Sequence, residues 1–285
     1  MEYITLSNGV KMPMLGYGVY QITPTECERC VLDALSVGYR SLDTAQSYFN
    51  EKQVGSAMKK SGLPREEIFL TTKVWVEHYG YEATRASVLT SLEELQTDYL
   101  DLVLLHQPFA DYYGAWRALE DLYQEGKLRA IGVSNFYPDR LVDLASFSRI
   151  RPMVNQVEIH PYHQQAEAKV WMDKYQIQAE AWAPFGEGRG DLFTDPVLME
   201  IGKKHGKTAA QVVLRWHLQR GIVVIPKSTH KERMQENLDV FDFTLGEDDM
   251  TAIAALDKKQ SVFFSHQDPN VVEWFVRMIE QRRNQ

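Results

Sequence analysis

Short apolar runs alternate with longer amphipathic stretches along the whole chain. Eight of the apolar runs have the length of buried strands, and they cover residues 14–18, 41–44, 68–73, 101–106, 130–135, 153–158, 178–182 and 222–226. The stretches between them place apolar residues near helical spacing, for example over 24–37, 81–96, 113–125 and 209–220. The pattern therefore predicts strands and helices in regular alternation.

Repeated strand–helix units require parallel strands that are joined by right-handed crossovers. Eight such units fit a closed barrel, so the sequence predicts the α/β class and a (β/α)8 TIM barrel, formed by one domain over residues 1–285. A doubly wound dinucleotide-binding sheet is the weaker interpretation. Gly16-Tyr17-Gly18 lacks the third glycine of that motif, and no helix follows it directly.

Both ends of the chain add elements to the barrel. Residues 3–6 and 10–13 flank Ser7-Asn8-Gly9, and Asn-Gly between two such segments predicts a β-hairpin. We expect this hairpin to plug the N-terminal mouth of the barrel. Residues 246–256 and 269–281 predict two extra helices after the eighth strand, the last of them packed against the barrel.

The first predicted helix carries signals at both of its ends. Thr23 is expected to cap it, with Pro24 at the first helical position and Glu26 completing a capping box. Gly38 is expected to end it, because glycine adopts the left-handed conformation readily. Both signals agree with the helical spacing over residues 24–37.

Composition and charge narrow the class of protein. The chain of 285 residues is 44% hydrophobic and 25% charged, which excludes a disordered or fibrous protein. Its net charge is −8 and it has no long basic run, so neither nucleic acid nor an anionic membrane is expected as the main partner. Without an apolar stretch long enough for a signal peptide or a membrane span, a cytoplasmic location is expected.

Cysteine and histidine pairs in the sequence do not predict a metal or redox site. Cys27 and Cys30 are the two cysteines of the chain; they cannot form a disulfide framework, and they fall inside the first helix rather than at its cap. His160 and His163 are separated by a proline, and no third ligand is evident. We therefore expect no metal.

Four titratable side chains fall at or just after the ends of predicted strands. Asp43 and Tyr48 follow the second strand, Lys73 ends the third, and His106 ends the fourth. Function in an α/β barrel gathers at the carboxyl ends of the strands, so these groups are expected to face one space. Each of them alone is weak evidence, but the joint pattern indicates an active site.

The chemistry of this set follows from its ionisation. A tyrosine hydroxyl is a poor acid at neutral pH, and a neighbouring ammonium group is expected to lower its pKa. Asp43 holds Lys73 charged, Tyr48 donates a proton to a carbonyl oxygen, and neutral His106 hydrogen-bonds that oxygen. Because no side chain supplies hydride to the carbonyl carbon, a nicotinamide cofactor is implied.

A small cationic segment in this acidic protein predicts the form of the cofactor. Lys227 and Ser228 lie at the end of the eighth strand, and Arg233 follows in the next helical stretch. Barrels often bind phosphate near the loops after strands seven and eight. Two cations and a hydroxyl there favour the 2′-phosphate of NADPH over NADH.

Three separate segments resemble the signatures of the aldo-keto reductase family. Residues 38–45 with Glu51 and 54–55 resemble the first signature, residues 131–136 the second, and 225–228 with Arg233, Glu236 and Asn237 the third. The resemblance covers nearly the whole chain. Within the family it is similar to the short-loop prokaryotic group of 2,5-diketo-gluconate and methylglyoxal reductases.

The resemblance implies a role for each matching residue. It gives Asp43, Tyr48, Lys73 and His106 as the catalytic tetrad, with Tyr48 as general acid. It implies that the cofactor NADPH is bound by Ser134, Asn135, Gln156, Trp182, Pro184, Phe185, Lys227, Ser228, Arg233, Glu236 and Asn237. Among these, Trp182 takes the place where many relatives stack a tyrosine on the nicotinamide, and Pro184 and Phe185 begin the loop that folds over the pyrophosphate.

Two departures from the family pattern concern the substrate. Phe49 stands where relatives usually carry glycine, and Gln107 stands where many carry tryptophan. The segment from Gln107 to about Asp111 is also short. We therefore expect an open, shallow substrate pocket, lined by Tyr20, Trp75, Gln107 and Phe109, with Phe263 or Phe264 as a further wall.

These features together predict NADPH-dependent reduction of aldehydes and ketones, including small dicarbonyls, to alcohols. The partner is a small-molecule carbonyl substrate, and a monomer is expected, with a dimer through the last helix as the alternative. A cofactor-binding sensor or regulatory subunit on the same fold is the competing hypothesis. A hydrolase with paired carboxylates is a distant third, since Asp43 and Glu158 are its only candidates.

Overall fold

Ten strands and eleven α-helices are present in residues 1–283, which a computed structural model describes. The strands are β1 (Tyr3–Thr5), β2 (Lys11–Pro13), β3 (Tyr17–Gly18), β4 (Ser41–Asp43), β5 (Phe69–Val74), β6 (Leu102–Leu105), β7 (Ile131–Ser134), β8 (Val154–Glu158), β9 (Gln178–Trp182) and β10 (Val223–Val224). The helices are α1 (Pro24–Val37), α2 (Glu51–Lys60), α3 (Tyr81–Glu94), α4 (Tyr112–Gln124), α5 (Pro138–Phe147), α6 (Ala166–Lys174), α7 (Pro196–His205), α8 (Ala209–Gln219), α9 (Lys231–Leu238), α10 (Glu247–Ala254) and α11 (Pro269–Arg283). No helix among these residues is long and apolar enough to cross a membrane.

Strands β3 to β10 form the predicted barrel. Each pairs in parallel with the next strand along the chain, so the spatial order equals the sequence order. A parallel bridge between Leu15 and Val224 joins the first and last of these strands, with the Gly16 amide donating to the Val224 carbonyl at 2.9 Å. The (β/α)8 prediction is confirmed. Strands β3 and β10 are shorter than the sequence predicts, because only two residues of each pair regularly with the neighbouring strand.

The N-terminal hairpin is confirmed as an antiparallel pair of β1 and β2. Its turn closes with a 2.8 Å hydrogen bond from the Gly9 amide to the Leu6 carbonyl, and Gly9 has a φ of 88°, a conformation that favours glycine. Asn8 donates to the carbonyl of Arg129, two residues before β7 begins. The hairpin therefore lies at the N-terminal end of the barrel, where it buries Leu6 and Met12.

One of the two helix-end predictions for α1 is wrong. Gly38 ends the helix in the left-handed conformation, with a φ of 118°, as expected. The Thr23 side chain makes no hydrogen bond to the backbone, however, so the capping box is absent. The backbone carbonyl of Thr23 accepts the Glu26 amide at 3.0 Å, which leaves the Thr23 hydroxyl to contact the side chains of Thr25 and Glu26.

Close packing between α2 and the end of α3 depends on Gly55. A Cβ at this position would lie 2.6 Å from the backbone carbonyl carbon and oxygen of Leu95. The two backbones are therefore too close for any side chain at residue 55.

Alanine normally stabilises a helix relative to glycine. Here we expect Gly55→Ala to lower the free energy of unfolding by about 2 kcal/mol, because two backbones must separate. Urea denaturation measures this, and Lys52→Ala, on an exposed position of α2, serves as the control with a change below about 0.5 kcal/mol. A Gly55→Ala variant more stable than the wild type would contradict the contact.

The last helix packs across the carboxyl end of the barrel wall, as predicted. Phe275 of α11 is buried against Trp75 and Phe109, with ring centroids 5.9 and 5.4 Å away. Trp75 follows β5 and Phe109 follows β6. This second apolar cluster therefore places the C-terminal part of the chain next to the strand ends where function is expected.

Candidate active site

The four side chains of the predicted tetrad meet at the carboxyl ends of three neighbouring strands. Asp43 ends β4, Tyr48 lies in the short 3-10 turn Gln46–Tyr48 after it, Lys73 is in β5, and His106 follows β6. In the strand register Asp43 lies opposite Thr71, two residues before Lys73 on β5, and Lys73 lies opposite Leu104, two residues before His106. The pairing of the strands therefore holds Asp43, Lys73 and His106 close together. The structure brings together the groups that the sequence singled out.

Lys73 uses all three of its ammonium hydrogens within the site. Its Nζ donates to Asp43 Oδ1 at 2.5 Å, to the Thr44 carbonyl at 3.0 Å and to the Tyr48 hydroxyl oxygen at 3.3 Å. Lysine has no further hydrogen to give. Since the Tyr48 oxygen accepts this bond, its own proton is directed elsewhere and remains available to another acceptor.

The pKa of Tyr48 differs from the expectation. Burial raises it, the Lys73 ammonium lowers it and the Asp43 carboxylate raises it, which brings the pKa to about 12. The predicted lowering toward neutrality is therefore wrong for the protein without its cofactor, because desolvation of a phenolate outweighs the charge of Lys73. Tyr48 holds its proton throughout the neutral range.

Lys73 stays protonated in spite of its burial. Desolvation lowers the pKa of its ammonium group, but the carboxylate of Asp43 and the neighbouring Tyr48 raise it by more, so the net shift is upward. The Asp43–Lys73 pair is buried on both sides. The site therefore contains a fixed ion pair directly beside a neutral phenol.

His106 lies on the other side of Tyr48. Its ring centroid is 5.7 Å from that of Tyr48 and 5.1 Å from that of Trp75, and both contacts are edge-to-face. Its Nδ1 lies 3.4 Å from the Ser47 hydroxyl. These contacts fix the plane of the imidazole next to the phenol that holds the proton.

The residues that the resemblance assigns to the nicotinamide lie side by side on β7, β8 and β9. Register pairs Ser134 with Gln156, and the Ser134 hydroxyl donates to the Gln156 carbonyl at 2.8 Å. Asn135 donates to the His106 carbonyl at 3.1 Å, and its Oδ1 accepts the Trp182 indole N–H at 2.9 Å. Trp182 is thus held at a defined angle, half-buried at the end of β9. This arrangement fits a flat ring with a carboxamide group.

Glu180, an acid inside the barrel wall, belongs to the site although the sequence did not single it out. It is 1% exposed on β9, and Gln156 Nε2 donates both to Glu180 Oε2 at 3.0 Å and to Asp43 Oδ2 at 2.8 Å. Burial and the nearby Asp43 raise the pKa of Glu180 to about 8. A lone acid between alanines in a predicted strand is the signal that identifies such a residue.

The predicted phosphate residues cluster where β10 leads into α9. Lys227 and Arg233 are exposed, and neither forms an ion pair with any carboxylate in residues 1–283. The Ser228 hydroxyl caps the turn by accepting the His230 amide at 3.1 Å. Two exposed cations outside any described ion pair fit an anionic ligand, and the charge of Lys227 also acts on the Glu187 carboxylate. Glu236 and Asn237 instead contact the protein itself, through Thr208 and the Tyr39 hydroxyl.

The loop that begins at Pro184 and Phe185 continues through the irregular 3-10 segment Gly186–Thr194. Pro184 is buried, and Phe185 packs against Phe193 with ring centroids 5.3 Å apart. Glu187 and Asp191 have φ values of 53° and 58°, a left-handed conformation that side chains rarely adopt. This backbone is strained, which is a common property of ligand-binding loops.

Neighbouring side chains cover the predicted substrate pocket more than the sequence predicts. Tyr20 is 48% exposed and lies 4.9 Å from the Tyr48 ring, as a pocket residue should. Trp75, Gln107 and Phe109 are buried, and Phe275 covers the two aromatic rings. Phe263 reaches Trp182 at 5.1 Å, and Phe264 packs with Phe275. The expected open, shallow pocket is therefore closed on one side by the C-terminal region.

Phe49 has an unusual backbone conformation for a residue with a large side chain. Its φ is 57° and its ψ is 29°, which is the left-handed region that favours glycine. The side chain is 69% exposed next to the turn that carries Tyr48. A large apolar side chain is thus held at the edge of the site at some cost in backbone strain.

Asp43 and Glu158, the two carboxylates that the hydrolase hypothesis named, bind different partners and do not form a pair. Glu158 contacts His160 at 2.8 Å and holds the Ser261 hydroxyl and the Val262 amide, while Asp43 binds Lys73. His160 and His163 pair through their backbones in a turn, as expected of structural residues. The described residues contain no group of three or more ligands that could hold a metal ion.

Comparison with known proteins agrees with this geometry. Residues 7–258 match the model of the Aldo/keto reductase family. Glyoxal reductase of Bacillus subtilis (strain 168) is 50% identical over 263 residues, covering 92% of this chain and 95% of that protein, and methylglyoxal reductase DkgA of Escherichia coli (strain K12) is 43% identical over 258 residues, covering 90% and 93%. A crystal structure of a Gox0644 mutant in complex with NADPH is 40% identical, with a TM-score of 0.88 over 93% of this chain and 97% of that one. With the family match, the two relatives and the barrel in agreement, this chain belongs to the aldo/keto reductase family.

Proposed function

We propose that this protein reduces small aldehydes and dicarbonyl compounds with NADPH, and that Tyr48 is the general acid. As an aldo/keto reductase it is an oxidoreductase that acts on carbonyl groups. The observation that carries the proposal is the set of three hydrogen bonds donated by the Lys73 ammonium group. The third of them is accepted by the Tyr48 hydroxyl oxygen. The Tyr48 proton is thereby left for an acceptor outside the ion pair.

The bound cofactor supplies hydride to the carbonyl carbon. Tyr48 gives its proton to the carbonyl oxygen, and Lys73 stabilises the phenolate that remains. Asp43 keeps Lys73 charged and fixed in place. His106, held against Tyr48 and Trp75, orients the oxygen toward the phenol. Oxidation in the reverse direction needs the phenolate, so its rate rises with pH.

The proposed cofactor site runs along the strand ends from β7 to β10. Ser134, Asn135 and Gln156, which are linked with Trp182 through hydrogen bonds, would hold the carboxamide, and Trp182 would stack on the ring. The shared hydrogen-bond network of these residues supports this placement, and the NADPH complex of Gox0644 supports the choice of cofactor. Pro184 and Phe185 begin the strained loop that we propose closes over the pyrophosphate.

Cofactor preference provides the first test of the phosphate site. Arg233→Ala is expected to raise KM for NADPH about tenfold and to leave KM for NADH nearly unchanged, because only NADPH carries the 2′-phosphate that a guanidinium binds. Steady-state rates with both cofactors measure this. Lys231→Ala is the matched control, since Lys231 is also exposed on α9 but lies near Asp33. Equal increases for NADPH and NADH would exclude a 2′-phosphate contact.

The substrate class is proposed from the short segment between β6 and α4 and from the relatives. Only six residues, 106–111, separate these elements, and relatives at 50% and 43% identity are named glyoxal and methylglyoxal reductases. Methylglyoxal, glyoxal and 4-nitrobenzaldehyde are the substrates to compare, with NADPH consumption followed by absorbance. Wild-type protein that binds NADPH but turns over none of them would favour the sensor hypothesis instead.

A further inference from the structure

Glu180 is a buried acid for which the proposed reaction has no use. Its Cα is paired in register with Gln156 on β8 and Val223 on β10, and the residue is 1% exposed in the barrel wall. A carboxyl group in such surroundings is costly unless it is hydrogen-bonded. Its hydrogen bond is to Gln156, the residue proposed to hold the nicotinamide carboxamide.

The two acids determine which way the Gln156 amide faces. Asp43 is ionised, because it pairs with Lys73 at 2.5 Å, and it therefore accepts hydrogen from the Gln156 nitrogen rather than facing its oxygen. Glu180 accepts the second hydrogen of the same nitrogen. With both hydrogens used, the nitrogen and the amide plane are fixed, and Oε1 points away from the acids.

Gln156 Oε1 is the open acceptor of this network. Asn135 Oδ1 accepts the Trp182 N–H, and the Ser134 hydroxyl donates to a backbone carbonyl. Within residues 1–283 no donor is bonded to Gln156 Oε1. The NH2 of a carboxamide is the kind of donor that this oxygen would accept.

We propose that Glu180 is a positioning residue for the cofactor: it fixes the Gln156 amide so that Oε1 accepts the carboxamide NH2 of the nicotinamide. The inference rests on the proposed function and on the proposed placement of the cofactor. Since the same Gln156 nitrogen binds Asp43, the contact also ties the carboxamide to the Asp43–Lys73 pair beside Tyr48.

Loss of the Glu180 acceptor has a defined consequence. One hydrogen of the Gln156 amide is left buried without a partner, while Asp43 holds the other. The terminal torsion of glutamine is broad, so the amide plane then turns about the remaining bond. Oε1 no longer keeps the direction that the carboxamide needs, and recognition of the NH2 group weakens.

The test compares binding of NADP+ with binding of its 3-acetylpyridine analogue, in which a methyl group replaces the NH2. Quenching of tryptophan fluorescence at pH 7 gives both dissociation constants without catalysis. Wild-type protein is expected to bind the analogue about tenfold more weakly, the size of one neutral hydrogen bond. Glu180→Met has similar length but no acceptor, and we expect this ratio to fall below about threefold.

Two variants serve as references for the ratio. Glu180→Gln keeps an oxygen for the Gln156 N–H, so it should retain the tenfold discrimination. Gln156→Met removes the acceptor itself and gives the ratio when nothing recognises the NH2. Circular dichroism and the melting temperature verify that each variant is folded, and Glu180→Leu replaces Glu180→Met if the latter is not.

Three outcomes overturn the inference. A folded Glu180→Met or Glu180→Leu protein with the wild-type ratio shows that Glu180 does not position the amide. Equal ratios for wild type and Gln156→Met show that Gln156 does not recognise the carboxamide. A Glu180→Gln protein without discrimination shows that an oxygen acceptor at this position is not enough to position the amide. Failure of the proposed function would give a different result: the wild-type protein would not oxidise NADPH with any carbonyl substrate.

Discussion

Phenylalanine in place of Tyr48 is expected to lower kcat about a thousandfold with methylglyoxal and NADPH. General acids contribute rate factors of about 100 to 10,000, and this substitution removes the proton without changing the ring. In the wild type all three Lys73 hydrogens are engaged, so the transferred proton is expected to come from the Tyr48 hydroxyl. NADPH consumption measured by absorbance gives the rate, and fluorescence quenching should show NADPH binding within about threefold of wild type.

The matched control for this variant is Tyr81→Phe. Tyr81 lies on α3 and donates its hydroxyl to Asp121 at 2.7 Å, away from the tetrad. Its kcat is expected to stay within twofold of wild type. Tyr48→Phe with more than a tenth of wild-type activity would show that another group donates the proton and would remove Tyr48 from the mechanism.

Methionine in place of Lys73 is expected to lower both activity and stability. Activity should fall about a thousandfold, because the phenolate that forms at Tyr48 loses its neighbouring charge. Stability should fall by about 3 kcal/mol, because Asp43 is left as a buried carboxylate without its ion-pair partner. Steady-state kinetics and chemical denaturation measure the two effects separately.

A double variant separates the two roles of Lys73. Asp43→Asn combined with Lys73→Met removes both charges, so most of the lost stability should return while activity stays low. Asparagine also keeps an oxygen for the Gln156 amide. If the double variant were as unstable as Lys73→Met, the packing of the lysine side chain would account for the stability loss rather than its charge.

The features that were predicted correctly are those that depend on residues close together in the chain. Eight apolar runs predicted the eight barrel strands, because a buried strand leaves its pattern within four to six residues. The Asn8-Gly9 turn and Gly38 were correct for the same reason, since each conformation is set by one residue. Thr23 is the N-cap residue as predicted, but its capping box was wrong because the Thr23 carbonyl accepts the Glu26 amide in place of the hydroxyl, and propensity does not resolve such competition.

Sequence by itself determined the order of strands and helices and which side chains end neighbouring strands. Since parallel strands end on one side of a barrel, Asp43, Lys73 and His106 had to lie near one another. The tertiary structure alone decided the rest: the raised pKa of Tyr48, the contact of Glu180 with Gln156, and the cover of Phe275 over Trp75 and Phe109. Each of these depends on which residues far apart in the chain meet one another, and a local pattern of polarity does not specify that pairing.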